Sequence, residues 1–369
     1  FFPPFSSGLT AAGVAFISVL NWAIVLLVNR GVEEASALNA IVMVCKLVPI
    51  FAFILAMVVM FDPAVFTADF WGNLANNLSD PALAPGSVPT QIVNCFMVMM
   101  WVFVGMEGAS VLGHRARRKS DVSRATILGC TALVVIYVAA SILPYGYLTR
   151  EELMTLGSPS MPYIFERVVG PWGGAFISGG LIISIFGAWL SYTILASEAM
   201  HGMARMKLLP SAFDRLNTYS APTACLFTTG AMIQLLSIVM LFSERAYQFA
   251  YSLCTASIVI SWTLAAAYMA KAWLAQERGQ GASEAPRIRA VDGICAACSA
   301  AFLVVAIAVS GVEQLMMCCI AYIPGIACYI WARVEQHQKV FTARERLLAI
   351  ILVAIGIFMI GYVAANGIL

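Results

Sequence analysis

Charge is what this 369-residue chain has least of: 11% of its residues are Asp, Glu, Lys or Arg, against roughly a quarter in soluble domains. Histidine is scarcer still, with three in the whole chain. So few charges cannot build a hydrated shell around a chain that is 61% hydrophobic, which excludes an ordinary water-soluble globule. The apolar runs extend about 20 residues without strict polar alternation, which suits helices crossing a hydrocarbon layer about 30 Å thick and not the strands of a barrel. In lipid an unsatisfied backbone amide costs several kcal/mol, so a spanning segment must close its hydrogen bonds within its own helix. The fold class is therefore an all-α membrane protein.

Absent motifs narrow the function. The chain has no GxxxxGK[ST] loop, no HExxH and no GxSxG in a suitable context, so nothing indicates ATP-driven transport, hydrolysis or any other enzymatic role. It has no arginine-repeat voltage sensor and no TVGYG filter. Energy for transport must come from a gradient or from exchange. A formal net charge of +2 gives no support to nucleic-acid binding. Of the ten cysteines, Cys45, Cys95, Cys130, Cys225, Cys254, Cys318 and Cys319 fall inside apolar stretches, where a thiol packs as a small hydrophobe. Cys295 and Cys298 form a CxxC that opens a hydrophobic segment, but no second pair or nearby histidine completes a metal site, and no cofactor is implied. No cleavable signal peptide is visible, and the opening at Phe1 suggests a truncated sequence.

Ten spans are read, at about residues 10–28, 40–60, 91–112, 125–145, 172–197, 222–242, 247–270, 292–310, 315–332 and 347–366. Lysine and arginine test that count, because short cytoplasmic loops carry an excess of them. Most of the 21 basic residues fall in alternate loops: Arg30; Arg115, Arg117, Arg118, Lys119 and Arg124; Arg205, Lys207 and Arg215; Lys271, Arg278, Arg287 and Arg289; Arg333, Lys339, Arg344 and Arg346. The intervening loops hold only Arg150, Arg167 and Arg245. The alternation survives all ten crossings and places both ends of the chain outside. The exterior stretch 62–89 reads as irregular, 149–169 as one or two amphipathic helices lying on the membrane surface, and 276–285 as a solvated cytoplasmic linker.

Ionisable residues inside the bilayer are the first functional candidates, since an unpartnered charge there costs a few kcal/mol or more. Glu107 lies within the third span, in WVFVGMEGAS, between Gly105 and Gly108. Each glycine weakens a helix by about 1 kcal/mol relative to alanine, so a break there is expected, and a broken helix near the midplane exposes backbone groups to a substrate. The alternative is a close crossing of small residues with Glu107 as a buried acceptor. Trp101 is either an interfacial belt residue or a pocket wall. Trp189 lies mid-span, too deep for a belt, where an indole face can hold a cation or an aliphatic stem. Lys46 either snorkels to the headgroups or places an ammonium in a cation site. Glu198 is expected to pair with a loop base, and the run from His114 to Lys119 reads as an orientation signal.

The segments FVGMEGASVLGHRARRKSDVSRATILG (103–129) and GAWLSYTILASEAM (187–200), with Pro210 and Ala-Pro-Thr223 after them, resemble the amino acid-polyamine-organocation superfamily, and within it the bacterial basic amino acid antiporters of the arginine-ornithine type. The resemblance covers nearly the whole chain. It implies an inverted-repeat bundle in which the ten spans correspond to helices four to thirteen. Residues 1–369 would form one transporter domain lacking the first three helices, with 1–61 ending the first repeat, 90–273 the second repeat and 290–369 the additional helices. It implies alternating-access exchange of cationic amino acids, arginine for ornithine, across the bacterial inner membrane, with a homodimer as one assembly. By motif, Trp101 resembles the tryptophan stacked on the substrate, Val104 and Gly105 its neighbouring backbone, Glu107 the gating or coupling carboxylate and Trp189 the middle gate. Cys254 and Thr255 match small polar residues near the substrate's far end. Lys46 resembles the lysine that stands where related symporters hold sodium, and its presence argues against an acid-resistance arginine-agmatine exchanger. Proton-coupled uptake through Glu107 or Lys46, arginine-agmatine or lysine-polyamine exchange, and a non-transporting sensor are the competing readings.

Overall fold

The computed structural model describes residues 10–68, 99–116, 118–157, 159–241, 245–278, 288–310 and 312–365. Helix α1 (Ala11–Arg30) starts where the Thr10 hydroxyl accepts the N–H of Gly13 at 3.1 Å, meeting one of the unsatisfied donors of a first turn. Arg30 stands in its last turn, at the negative end of the helix dipole. Helix α2 (Val32–Val59) carries Pro49 in its interior. The ring occupies room that the facing helix leaves open: a Cβ on Gly180 would lie 2.3 Å from Pro49 Cγ.

The stretch expected to be irregular from residue 62 instead opens with a short helix, α3 (Pro63–Ala68). Asp62 Oδ1 accepts the Ala64 N–H at 2.8 Å, and proline at the first helical position has no N–H to satisfy. Residues 69–98, which hold the rest of that loop and the start of the third span, lie outside the described residues, as does most of the cytoplasmic linker. Then follow α4 (Gly108–Val111) with a 3-10 turn over Leu112–Arg115, α5 (Lys119–Ile142), a 3-10 turn over Leu143–Gly146, α6 (Arg150–Met154), α7 (Ser160–Val169), α8 (Pro171–Arg205) and α9 (Thr223–Met240). The chain continues with α10 (Arg245–Glu277), α11 (Ala290–Ser310), α12 (Val312–Glu335) and α13 (Ala343–Ala365).

Among the described residues nine helices are long and apolar enough to cross a membrane, and they match nine of the ten spans read from sequence. Their ends run further than hydropathy suggested. Helix α8 continues to Arg205 rather than stopping at 197, and at 1.5 Å per residue it is about 52 Å long, so its last turns extend past the hydrocarbon. The apolar surface points outward: Ile127, Leu128 and Val135 of α5 are 62%, 70% and 62% exposed. Lipid tails are as apolar as these side chains, so helix association rests on close packing and on polar contacts between helices.

Both occur at the core. Ile24, Val25 and Val28 of α1 pack with Leu190 and Ile194 of α8 and Leu226 of α9, while Asn21 Nδ2 donates to the Gly230 carbonyl at 2.9 Å and Gln234 Nε2 to Ser18 Oγ at 2.8 Å. A second cluster joins Phe53 and Met57 of α2, Ile177 of α8 and Ile164 and Phe165 of α7. The segment 149–169 forms two short helices, as read from sequence, and Ile164 and Phe165 of α7 are buried against α2 and α8. After α8, Asn217 Nδ2 donates to the Asn29 carbonyl at 2.7 Å and Thr223 Oγ1 to Asn29 Oδ1 at 2.7 Å, tying the loop between α8 and α9 to the end of α1.

Candidate functional site

The third span does not run as one helix. Residues 99–102 are helical, 103–107 form turns, and α4 begins at Gly108. Through the break the backbone bonds are short-range: Val104 N–H to Trp101 O at 3.0 Å, Met106 N–H to Phe103 O at 3.3 Å, and Gly108 N–H to Gly105 O at 3.0 Å. Gly105 makes this path available. Its φ is +107°, a conformation that a Cβ strongly disfavours, and a Cβ there would also lie 2.8 Å from the Tyr192 hydroxyl.

Side chains receive the groups that the break releases. Glu107 Oε2 accepts the Gly105 N–H at 3.0 Å, and the Tyr192 hydroxyl of α8 donates to the Val104 carbonyl at 2.7 Å. The Tyr137 hydroxyl of α5 lies 3.5 Å from the Val102 carbonyl, with the Phe103 ring edge-on to its own ring at 6.1 Å. Gly108 sits in ordinary contact with Leu195, one turn along α8 from Tyr192. A Cβ at Gly108 would thus be accommodated, and of the two glycines it is Gly105 whose conformation and contact with Tyr192 require the missing side chain.

The remaining sequence candidates fall at different distances from this point. Trp101 is 42% exposed at the entry to the break, beside Met100, which is buried against Val259, Leu303 and Ala306. Cys254 of α10 lies within electrostatic range of both Glu107 and Tyr192, and Thr255 next to it is fully buried. Trp189 stands one turn before Tyr192 on α8, half-buried against the α1 cluster. Lys46 is half-buried on α2, one turn before Pro49, and among the described residues it forms no ion pair with Glu107. Glu198 is 1% exposed inside α8, while the side chains of His114, Arg115, Arg117 and Lys119 lie outside the described residues.

Sequence reading missed Tyr192 and Tyr137. A signal was present: a tyrosine hydroxyl deep in a span needs an acceptor, and an unbroken helix commits its carbonyls to its own amides. Among the described residues, a cavity of about 490 Å³ opens elsewhere, between Phe53, Ser141, Tyr145, Arg150 and Met161. It holds none of the residues around the break. The break itself presents backbone donors and acceptors, a carboxylate and the hydroxyls and rings of Tyr137 and Tyr192 within one interrupted span.

The model of the amino acid permease family matches residues 1–313. The chain belongs to that family. Among curated relatives of this permease is the arginine/ornithine antiporter of Latilactobacillus sakei, 46% identical over 366 residues that cover 98% of this chain and 74% of the relative. The arginine/ornithine antiporter of Pseudomonas aeruginosa is 35% identical over 375 residues, covering 100% and 76%. An arginine/agmatine antiporter of Chlamydia trachomatis is 31% identical over 357 residues, covering 96% and 72%. The permease is a helical, multi-pass protein of the bacterial inner membrane.

Proposed function

We propose that this permease exchanges cationic amino acids across the inner membrane, arginine for ornithine, by alternating access, and that it performs no enzymatic chemistry. The observation that carries the reading is the 46% identity over nearly the whole chain to a relative named as an arginine/ornithine antiporter; the more distant likeness to arginine/agmatine antiporters makes agmatine the second counter-substrate to test. The broken third span is taken as the binding place, in the second of two repeats (90–273), with the helices of 290–369 outside the repeats. The turn over 103–107 receives the substrate's ammonium at carbonyls such as that of Val104, beside the Gly105 backbone. Trp101 packs on its aliphatic stem, Cys254 and Thr255 meet its far end, Glu107 couples occupancy to the backbone and Trp189 acts as a gate. Lys46 serves as a fixed ammonium on α2 and, with Glu107, belongs to the gating and coupling residues.

Charge distinguishes the exchange partners. Arginine against ornithine moves no net charge, whereas arginine against a dicationic amine moves one, with about 2.3 kcal/mol at stake per 100 mV. Proteoliposomes loaded with ornithine or agmatine and clamped by potassium diffusion potentials test this. The exchange with ornithine is expected to be insensitive to potential; uptake that follows an imposed pH gradient into vesicles without internal substrate would replace exchange with proton coupling.

A further inference from the structure

Tyr192 and Glu107 act on one peptide group. The Val104 carbonyl and the Gly105 N–H belong to the same amide, and in a trans peptide they point in opposite directions. The Tyr192 hydroxyl holds the oxygen at 2.7 Å and Glu107 Oε2 holds the N–H at 3.0 Å, so that single amide plane is gripped from both sides, by a residue of α8 and by its own chain.

The plane in question is also the one with freedom to turn. Met106 N–H bonds to Phe103 O, which makes Val104 and Gly105 the central residues of a turn, and φ of +107° at Gly105 is the sign required at the third position of a type II turn. Rotating only the central amide converts a type II turn to type I, with φ at that position near −90°. Such a rotation would swing the Val104 carbonyl away and offer an N–H in its place. Glycine tolerates both states, so backbone preference does not choose between them; the two side chains do.

We propose that Tyr192 is a positioning residue for substrate recognition: with Glu107 it clamps the Val104–Gly105 amide so that a carbonyl, and not an N–H, is held in the broken segment. This rests on the binding place proposed above, since a fixed acceptor there serves a substrate ammonium. The carbonyl has a second lone pair, so the Tyr192 bond orients it without using it up. The residue acts on substrate through Val104, which is why removing one hydroxyl reaches affinity.

Arginine binding to the full-length purified protein, measured by calorimetry for the wild type, Tyr192→Phe, Glu107→Leu, which removes the acceptor of the Gly105 N–H, and the double variant, tests the clamp. Loss of the hydroxyl is expected to weaken binding about three- to tenfold without changing the elution volume of the folded protein. Because both side chains grip one amide, the double variant is expected to bind within about twofold of the weaker single variant. Unchanged affinity in Tyr192→Phe, or a double variant weakened by the product of the two single effects, would overturn the clamp. No arginine binding by the wild type would instead remove the underlying site. A measurement on the unmutated residue covers a variant that fails to fold: with carbonyl-labelled valine, and Val104→Ile to isolate the Val104 band, that band is expected at a hydrogen-bonded frequency in the ligand-free protein. A band at the frequency of a free amide carbonyl would contradict the proposal.

Discussion

Gly105 concentrates the strongest backbone constraint near the site. An alanine there meets φ of +107° and the Tyr192 hydroxyl at 2.8 Å together, so Gly105→Ala is expected to cut exchange by at least about tenfold, consistent with 1–3 kcal/mol of strain at such a position, while span insertion is preserved. Exchange at the wild-type rate would show that the turn is not used. Glu107→Gln keeps the shape of the side chain and an oxygen able to accept the Gly105 N–H but removes the negative charge, and nearly complete loss of turnover with intact expression is the expected result. Trp189→Leu should slow exchange more than it raises the substrate concentration for half-saturation, because the indole packs on the cluster that joins α1 to α8; the reverse pattern would make it a binding residue. The sequence singled out Gly105 and Glu107 because an ionisable residue flanked by glycines is unusual inside an apolar span. It did not disclose Tyr192, whose partner is a backbone atom 88 residues away, invisible to any local pattern.

Helix existence was legible because hydropathy sets it, whereas helix ends were not, since polar last turns such as those of α8 are stabilised by the loops folded onto them. The same limit explains α7, whose amphipathic pattern says that one face is buried but not whether lipid or protein buries it. The crossing of α2 and α8 depends on Gly180, and Gly180→Val should destabilise the protein by about 1–3 kcal/mol through overpacking against the rigid Pro49 ring. A melting temperature in detergent equal to the wild type would show that the helices can part at no cost. At the exterior surface, helix α6 is fixed by a capping box in which Glu152 Oε2 accepts both the backbone N–H and the hydroxyl of Thr149 at 2.9 Å. These bonds from Thr149, with Arg167 adding a smaller contribution, hold the Glu152 carboxyl below its ordinary value of 4.5. A depressed carboxyl stabilises the fold above the ordinary value and loses that effect as pH falls through the lowered one. Wild type should therefore melt above Glu152→Gln at neutral pH, and the gap should close on acidification below the ordinary carboxylate range; a gap that persists in acid would assign the cap to shape rather than charge.

Across the whole molecule the division of labour follows from lipid as solvent. Uninterrupted helices hide their backbone and carry the outward apolar surface, so among the described residues the interrupted third span is where backbone polar groups become available, and α8 meets that interruption at Tyr192 and Leu195. Composition and the alternation of basic loops disclosed this architecture, and the motif around Glu107 disclosed the family; pairing across helices required coordinates. The most direct test is an electron cryo-microscopy map of the full-length protein with arginine bound. Density for the α-amine within hydrogen-bonding distance of the backbone of residues 102–107, with Glu107 still on the Gly105 amide, is the predicted result. Arginine bound elsewhere, with residues 99–115 forming one continuous helix, would contradict it.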